Sequence, residues 1–231
     1  MKVSSGIEGV DTLSHGGYPE GGVNLISGVA GSAKTLFALH FLCKGLEDNE
    51  MGLLITLEEE KESIERVMSL MDINSSSRKI DIIDLGLIRA EKAEVGEGMV
   101  GFSDLKDFLS SFLASHPTKR IVIDSISAVG IYYKEIEKLR EELFSFVRFL
   151  RGNDVTTILT SESLEGGSLT RFGVEQFLAD SFIVLGLEEV KGELRRTITI
   201  RKMRFTSHDT AKRPFLITEK GIEVFVKEKV L

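Results

Sequence analysis

The chain has one cysteine, Cys43. That excludes an internal disulfide, and because Cys43 sits in an apolar helical stretch it reads as a packed core thiol. Long basic runs are also missing. With 29 Lys and Arg against 36 Asp and Glu, the formal charge is -7, so the chain as a whole lacks the footprint that draws proteins to nucleic acid or anionic lipid. A local basic groove stays open. No apolar run reaches the roughly 20 residues that span a bilayer. The opening MKVSSGIEGVD lacks the apolar core of a secretion signal. The expectation is a cytoplasmic protein with no membrane partner.

An apolar fraction of 42% in 231 residues can fill a full core, so one α/β domain over residues 1–231 is expected. VNLIS, GLLITL, KIDIIDL, RIVID and TTILT read as buried strands separated by segments long enough for crossover helices. This is the rhythm of a mostly parallel central sheet with helices on both faces. The helix expected over 136–150 places Ile136, Leu139, Leu143, Phe146, Val147 and Leu150 on one stripe. After about residue 180, SFIVLGL, RRTITIRKM, PFLIT and IEVFV follow one another through turns at Gly192, Lys220 and Gly221, an antiparallel C-terminal extension. Residues 86–101 have no clear period and read as a mobile surface connection.

ISGVAGSAKTL, residues 26–36, joins a strand to a helix through a glycine-bearing turn. Such a turn aims backbone N–H groups and the positive end of a helix dipole at one point, where a polyphosphate fits. The pattern G-x-x-x-x-G-K-[ST] is met by Gly28, Lys34 and Thr35, with the lysine placed for the terminal phosphates of ATP and the threonine for Mg²⁺. Val29, Ala30, Gly31, Ser32, Ala33 and Leu36 complete the binding stretch. Ala33 stands where glycine is expected. If the backbone there takes positive φ, its Cβ costs about 1 to 2 kcal/mol, a loss of affinity of about tenfold to thirtyfold.

Ligands on such sheets bind beyond the carboxyl ends of the strands. RIVID ends in Asp124, flanked by Ser125 and Ser127, a carboxylate placed to hold Mg²⁺ through water. LLITL ends in Glu58 and Glu59, either of which can orient and deprotonate an attacking water. Glu60 and Glu62 instead complement the N-terminus of the following helix. TTILT ends in Thr160, Ser161 and Glu162, candidates for sensing the phosphate.

Together these motifs resemble the KaiC-like branch of the RecA superfamily of P-loop ATPases over nearly the whole chain. Asp11, Gly16, Gly17, Pro19 and Gly21 match its N-terminal signature, Glu58 and Glu59 its catalytic glutamates, and IDSIS its Walker B strand. TRFGVEQFLADSFIVL and RKMRFTSHDTAKRPFLITEKGIEVF are similar to its C-terminal third. The resemblance implies a RecA-like fold and a homo-oligomeric ring, usually a hexamer, with ATP and Mg²⁺ between neighbours. Lys202 and Arg204 would then complete the adjacent subunit's site, and Thr206, His208 and Thr218 would lie near the sugar and base. By residue pattern alone, RRTITIRKMR reads as a solvated basic strand face.

Three features depart from that family: Ala33, Phe205 in place of a glycine after Lys-x-Arg, and a single domain. Gln176 and Phe177 occupy the places of the clock protein's phosphorylated Ser–Thr pair, so a clock autokinase is not expected. The leading expectation is a slow Mg-dependent ATPase whose nucleotide state alters the docking of an unidentified protein partner. Two alternatives stand beside it. One is a recombination regulator binding single-stranded DNA through Gly166, Gly167 and Arg171; the other is a scaffold that has lost nucleotide binding at Ala33.

Overall fold

Neighbouring residues of the central strands point into opposite apolar layers, as a pleat of period two requires. A computed structural model describes residues 1–70, 80–86, 101–164, 166–190 and 192–230. In it Ile26, Leu54, Val122 and Ile158 join one buried cluster, while Leu25, Leu53, Ile121 and Leu159 join the other. The connection expected over 86–101 lies mostly outside the described residues.

The elements in chain order are β1 (Lys2–Val3), α1 (Glu8–Leu13), β2 (Tyr18–Pro19), β3 (Val23–Gly28), α2 (Lys34–Glu47), β4 (Met51–Thr56), α3 (Lys61–Leu70) and β5 (Asp81–Asp84). There follow α4 (Phe102–Ser115), β6 (Thr118–Asp124), α5 (Ile126–Gly130), α6 (Ile136–Gly152), β7 (Thr156–Glu162), α7 (Glu175–Leu178), β8 (Ser181–Val190), β9 (Glu193–Met203), β10 (Arg213–Thr218) and β11 (Gly221–Val224). Nine strands form one sheet in the order β11-β10-β9-β8-β3-β7-β6-β4-β5. The strands from β8 to β5 pair in parallel, and β9, β10 and β11 add antiparallel pairings. This is the α/β, RecA-like arrangement with its antiparallel C-terminal extension.

Helices α1, α2 and α3 cover one face through Val10, Phe37, Phe41 and Ile64; α4, α5 and α6 cover the other through Leu105, Val129, Leu143 and Phe146. Such burial contributes about 1.5 to 3 kcal/mol for each large side chain. The stripe on α6 holds except at its first position: Ile136 is 42% exposed, because the helix begins there and its first turn overhangs the core. Cys43 packs at the edge of the α2 layer, and burial pushes its thiol up to about 12, so it has little thiolate character. Among the described residues no helix is long and apolar enough to cross a membrane.

The N-terminal signature acts as a clasp. Asp11 accepts hydrogen bonds from the Ser4 and Ser5 hydroxyls and from the Ser5 backbone N–H, while β1 pairs with β2. Gly17, at φ +103°, runs so close to β1 that a Cβ would lie 2.1 Å from the Val3 carbonyl oxygen.

Candidate active site

Because β3, β4, β6 and β7 are parallel, their carboxyl ends meet at one edge: Gly28 lies beside Glu162, and Thr56 beside Asp124. The turn leaving β3 and the first turn of α2 join them. Together they line a cavity of about 440 Å³ formed by Ala30, Gly31, Ala33, Lys34, Thr35, Leu36, Glu58, Glu59, Val67, Asp124 and Ile217. That volume suits a small-molecule ligand.

Ala33 adopts φ 74°, ψ 32° at the N-cap of α2, with no side-chain cap. The expected positive φ is therefore met by a residue with a Cβ, a strain of about 1 to 2 kcal/mol. Its methyl packs against the α2 core layer. The first hydrogen bond into the helix runs from Phe37 N–H to the Ala33 carbonyl; the N–H groups of Lys34, Thr35 and Leu36 precede it, as donors that a helix start leaves for an anion. Lys34 Nζ donates to the carbonyls of Gly28 at 3.0 Å and Val29 at 3.2 Å. Gly28, Val29 and Ser32 support the loop from behind. A Cβ on Gly28 would lie 2.3 Å from Ser32 Oγ, and that hydroxyl donates to the Val29 carbonyl at 2.7 Å.

Thr35 Oγ1 lies 2.6 Å from Asp124 Oδ2 and 3.1 Å from Glu59 Oε1. With one proton to give, it serves one carboxylate at a time. Thr160 Oγ1 donates to the other Asp124 oxygen. A hydroxyl flanked by two carboxylates is a hard oxygen donor set that fits Mg²⁺. Glu58 accepts from Ser125 Oγ at 2.8 Å. Although the residue is exposed along much of its length, partial burial of the carboxyl raises its pKa, reinforced by Glu162 and Asp124 and opposed by Ser125 and Lys34. That is the direction a general base needs to work near neutral pH.

Thr160 and Ser161 are fully buried and engaged internally, Ser161 with Glu175 at 3.0 Å, so they brace the site from behind. Thr218 ends β10 opposite Gly221, and its hydroxyl donates to the Gly221 carbonyl. Its neighbour Ile217, which the sequence reading passed over, is the one that lines the cavity.

Lys202 and Arg204 stand at the opposite, amino edge, since Met203 pairs with Ser181 and Ser181 with Asn24. The six-residue β3 separates the two edges by roughly 15 to 20 Å, so neither side chain lines its own chain's phosphate cavity. Lys202 Nζ donates to the carbonyls of Gln176, Phe177 and Ala179; burial lowers its pKa, assisted by Arg204. Arg204 pairs with Asp180 at 3.1 Å and, with Phe205 and Thr206, borders a second cavity of about 670 Å³. His208 carries two buried ring nitrogens without a hydrogen-bond partner among the described residues. Asp180 and Arg151, which also pair, carry no motif that marks them in the sequence. The only signal was an acid just ahead of an apolar strand and a basic residue in the last turn of α6.

A parallel sheet whose first crossover carries this loop, with an acid at the end of β6, defines a RecA-like P-loop nucleotide-binding protein. The sequence matches the family described as "ATPase: KaiC" over residues 3–229. It is 34% identical to the circadian clock oscillator protein KaiC of Prochlorococcus marinus (strain MIT 9313), covering 97% of this chain and 46% of that protein. For the protein of the same description from Nostoc sp. (strain PCC 7120) the figures are 37%, 97% and 44%. The chain thus spans under half the length of these curated relatives. A solved KaiC-like protein from the archaeon Pyrococcus horikoshii OT3 superposes with a TM-score of 0.81 at 36% identity, covering 97% of this chain and 99% of that one. The chain belongs to the KaiC family of ATPases.

Proposed function

We propose that this chain hydrolyses ATP slowly, with Mg²⁺, at the contacts between subunits of a homo-oligomeric ring, most simply a hexamer, each chain serving as one ATPase domain. The observation that carries this reading is the convergence of Lys34, Thr35, Glu58, Glu59 and Asp124 on one cavity. The amides at the start of α2 bind the phosphates, and Lys34 exchanges its contacts with the loop carbonyls for phosphate oxygens. Thr35 and Asp124 would hold the metal, which when bound would neutralise developing charge on the phosphates. Glu58, with its raised pKa, takes the proton of the attacking water, and Glu59 holds Thr35 in place.

Completion comes from a neighbour. Lys202 and Arg204 cannot serve their own chain's cavity, and a head-to-tail contact would bring one chain's amino edge to the next chain's carboxyl edge. The nucleotide state then alters the docking of a protein partner in the cytoplasm. Neither Gln176 nor Phe177 offers a hydroxyl, so self-phosphorylation at those positions is not part of this reading. The test is phosphate release from purified protein: it should require Mg²⁺ and fall at least about a hundredfold on Glu58→Gln. Turnover that survives both the substitution and a chelator would refute the assigned chemistry.

A further inference from the structure

The amino-edge cavity contains an ion cluster that neither the phosphate loop nor the catalytic glutamates account for. At its centre is the buried carboxylate of Asp180. Its Oδ2 accepts from the Val23 backbone N–H at 2.9 Å and from Arg151 Nε at 3.0 Å. Oδ1 accepts from Arg151 Nη2 at 2.9 Å and from Arg204 Nη1 at 3.1 Å. The main chain repeats the connection: Asp180 N–H donates to the Val23 carbonyl, and Arg204 N–H donates to the Asp180 carbonyl.

Asp180 is thus tied to β3, the strand that carries the phosphate loop at its other end. A guanidinium held through one nitrogen keeps its other donors for a second anion. Arg151 takes two of the carboxylate's four hydrogen bonds, so Arg204 shares the acid and is only partly neutralised. Lys202 adds a further cation near Asp180, and Glu20 lines the same cavity. Arg204 remains 42% exposed and borders the cavity, as a group that must meet a partner does.

We propose that Asp180, backed by Arg151, is the positioning residue that aims Arg204 at the terminal phosphate bound by an adjacent copy of this chain. The proposal rests on the reading that Arg204 acts in trans. Asp180 touches no substrate; it fixes the angle at which the guanidinium leaves the sheet, and loss of such alignment costs about tenfold to a hundredfold in rate.

The test is complementation in mixed assemblies of the full chain. Asp180→Asn alone should lower kcat about tenfold to a hundredfold, with KM for ATP changed less than about threefold. Mixed in equal amounts with subunits carrying Glu58→Gln and Glu59→Gln, which keep Asp180 and Arg204 but lack the base, it should recover about a quarter of the wild-type rate, because half its sites then face an intact Arg204. A purely structural role would not produce that recovery. A mixture no more active than its components, from misfolding or any other cause, overturns the proposal, as does wild-type turnover by Asp180→Asn alone. Arg204→Ala mixed with the same subunits is the control. Should that pair fail to recover while Arg204→Ala alone is impaired, the trans reading itself has failed; should it recover while Asp180→Asn does not, only the role of Asp180 is lost.

Discussion

The two edges of the sheet carry opposite chemistry. At the carboxyl edge Glu58, Glu59 and Asp124 gather around Lys34; at the amino edge Arg151, Lys202 and Arg204 gather around the buried Asp180. Each edge also contains a residue with a Cβ at positive φ where the family pattern has glycine: Ala33 at 74° and Phe205 at 65°. The surroundings separate the two. Ala33's methyl packs inward against the core, whereas Phe205 is 92% exposed. Similar backbone strain is therefore absorbed into the core at one edge and presents an aromatic surface at the other.

The largest effect that would sharpen this contrast is expected at the amino edge. Arg204→Ala should lower ATP turnover about a thousandfold or more while shifting the urea midpoint little, because the residue is partly exposed. Unchanged turnover would remove the reason for pairing the two edges. Glu58→Gln should follow, with a loss of about a hundredfold to ten-thousandfold. Burial raises the pKa of Glu58, and a base works only when deprotonated. Wild-type kcat should therefore fall as pH drops through that raised value, at higher pH than for an ordinary glutamate. A pH-rate profile whose acid limb persists in the variant would exclude Glu58 as the base.

Arg120 supplies the contrast within the amino edge. It is 2% exposed, paired with Asp48 at 3.0 Å and Glu50 at 2.6 Å, and donates to the carbonyls of Ser4 and Phe41. Its donors are committed to the fold. Arg120→Ala should cost about 3 kcal/mol of stability, read by urea unfolding, with turnover per folded molecule retained. The smallest effect is expected from His40, whose Nε2 accepts from the Ile222 backbone N–H at 3.1 Å. Burial lowers its pKa, opposed by a hydrogen bond with the Gly6 backbone. The folded state thus favours the neutral ring, and this contribution is complete above the unfolded value near about 6.5. It is lost as pH falls from there toward the folded value. Unfolding midpoints between pH 7.5 and 5 should fall more for wild type than for His40→Gln.

Much of the carboxyl edge was legible in the sequence because its chemistry is local. A loop of consecutive residues and acids that end apolar runs are placed by strand geometry alone. The amino edge was not legible as geometry, since Asp180 meets partners 29 and 24 residues away, one brought by α6 packing on the sheet and the other by β9 pairing with β8. Phase also escaped it: Ile217 lines the cavity while Thr218 turns away, because adjacent residues of a strand point to opposite faces. Ile136 failed as a core residue for a related reason, since a helical stripe says which side faces inward and not where the layer beneath it ends.

The most direct measurement is titration calorimetry of Mg-ATP into wild type, Ala33→Gly and Lys34→Ala. Measurable binding by wild type is expected, and none without the lysine; because Ala33 already holds its positive φ in the ligand-free fold, Ala33→Gly should gain stability and bind about as tightly as wild type. A wild type that takes up no nucleotide while Ala33→Gly does, or a Lys34→Ala that binds as well as wild type, would contradict a working phosphate site in this chain.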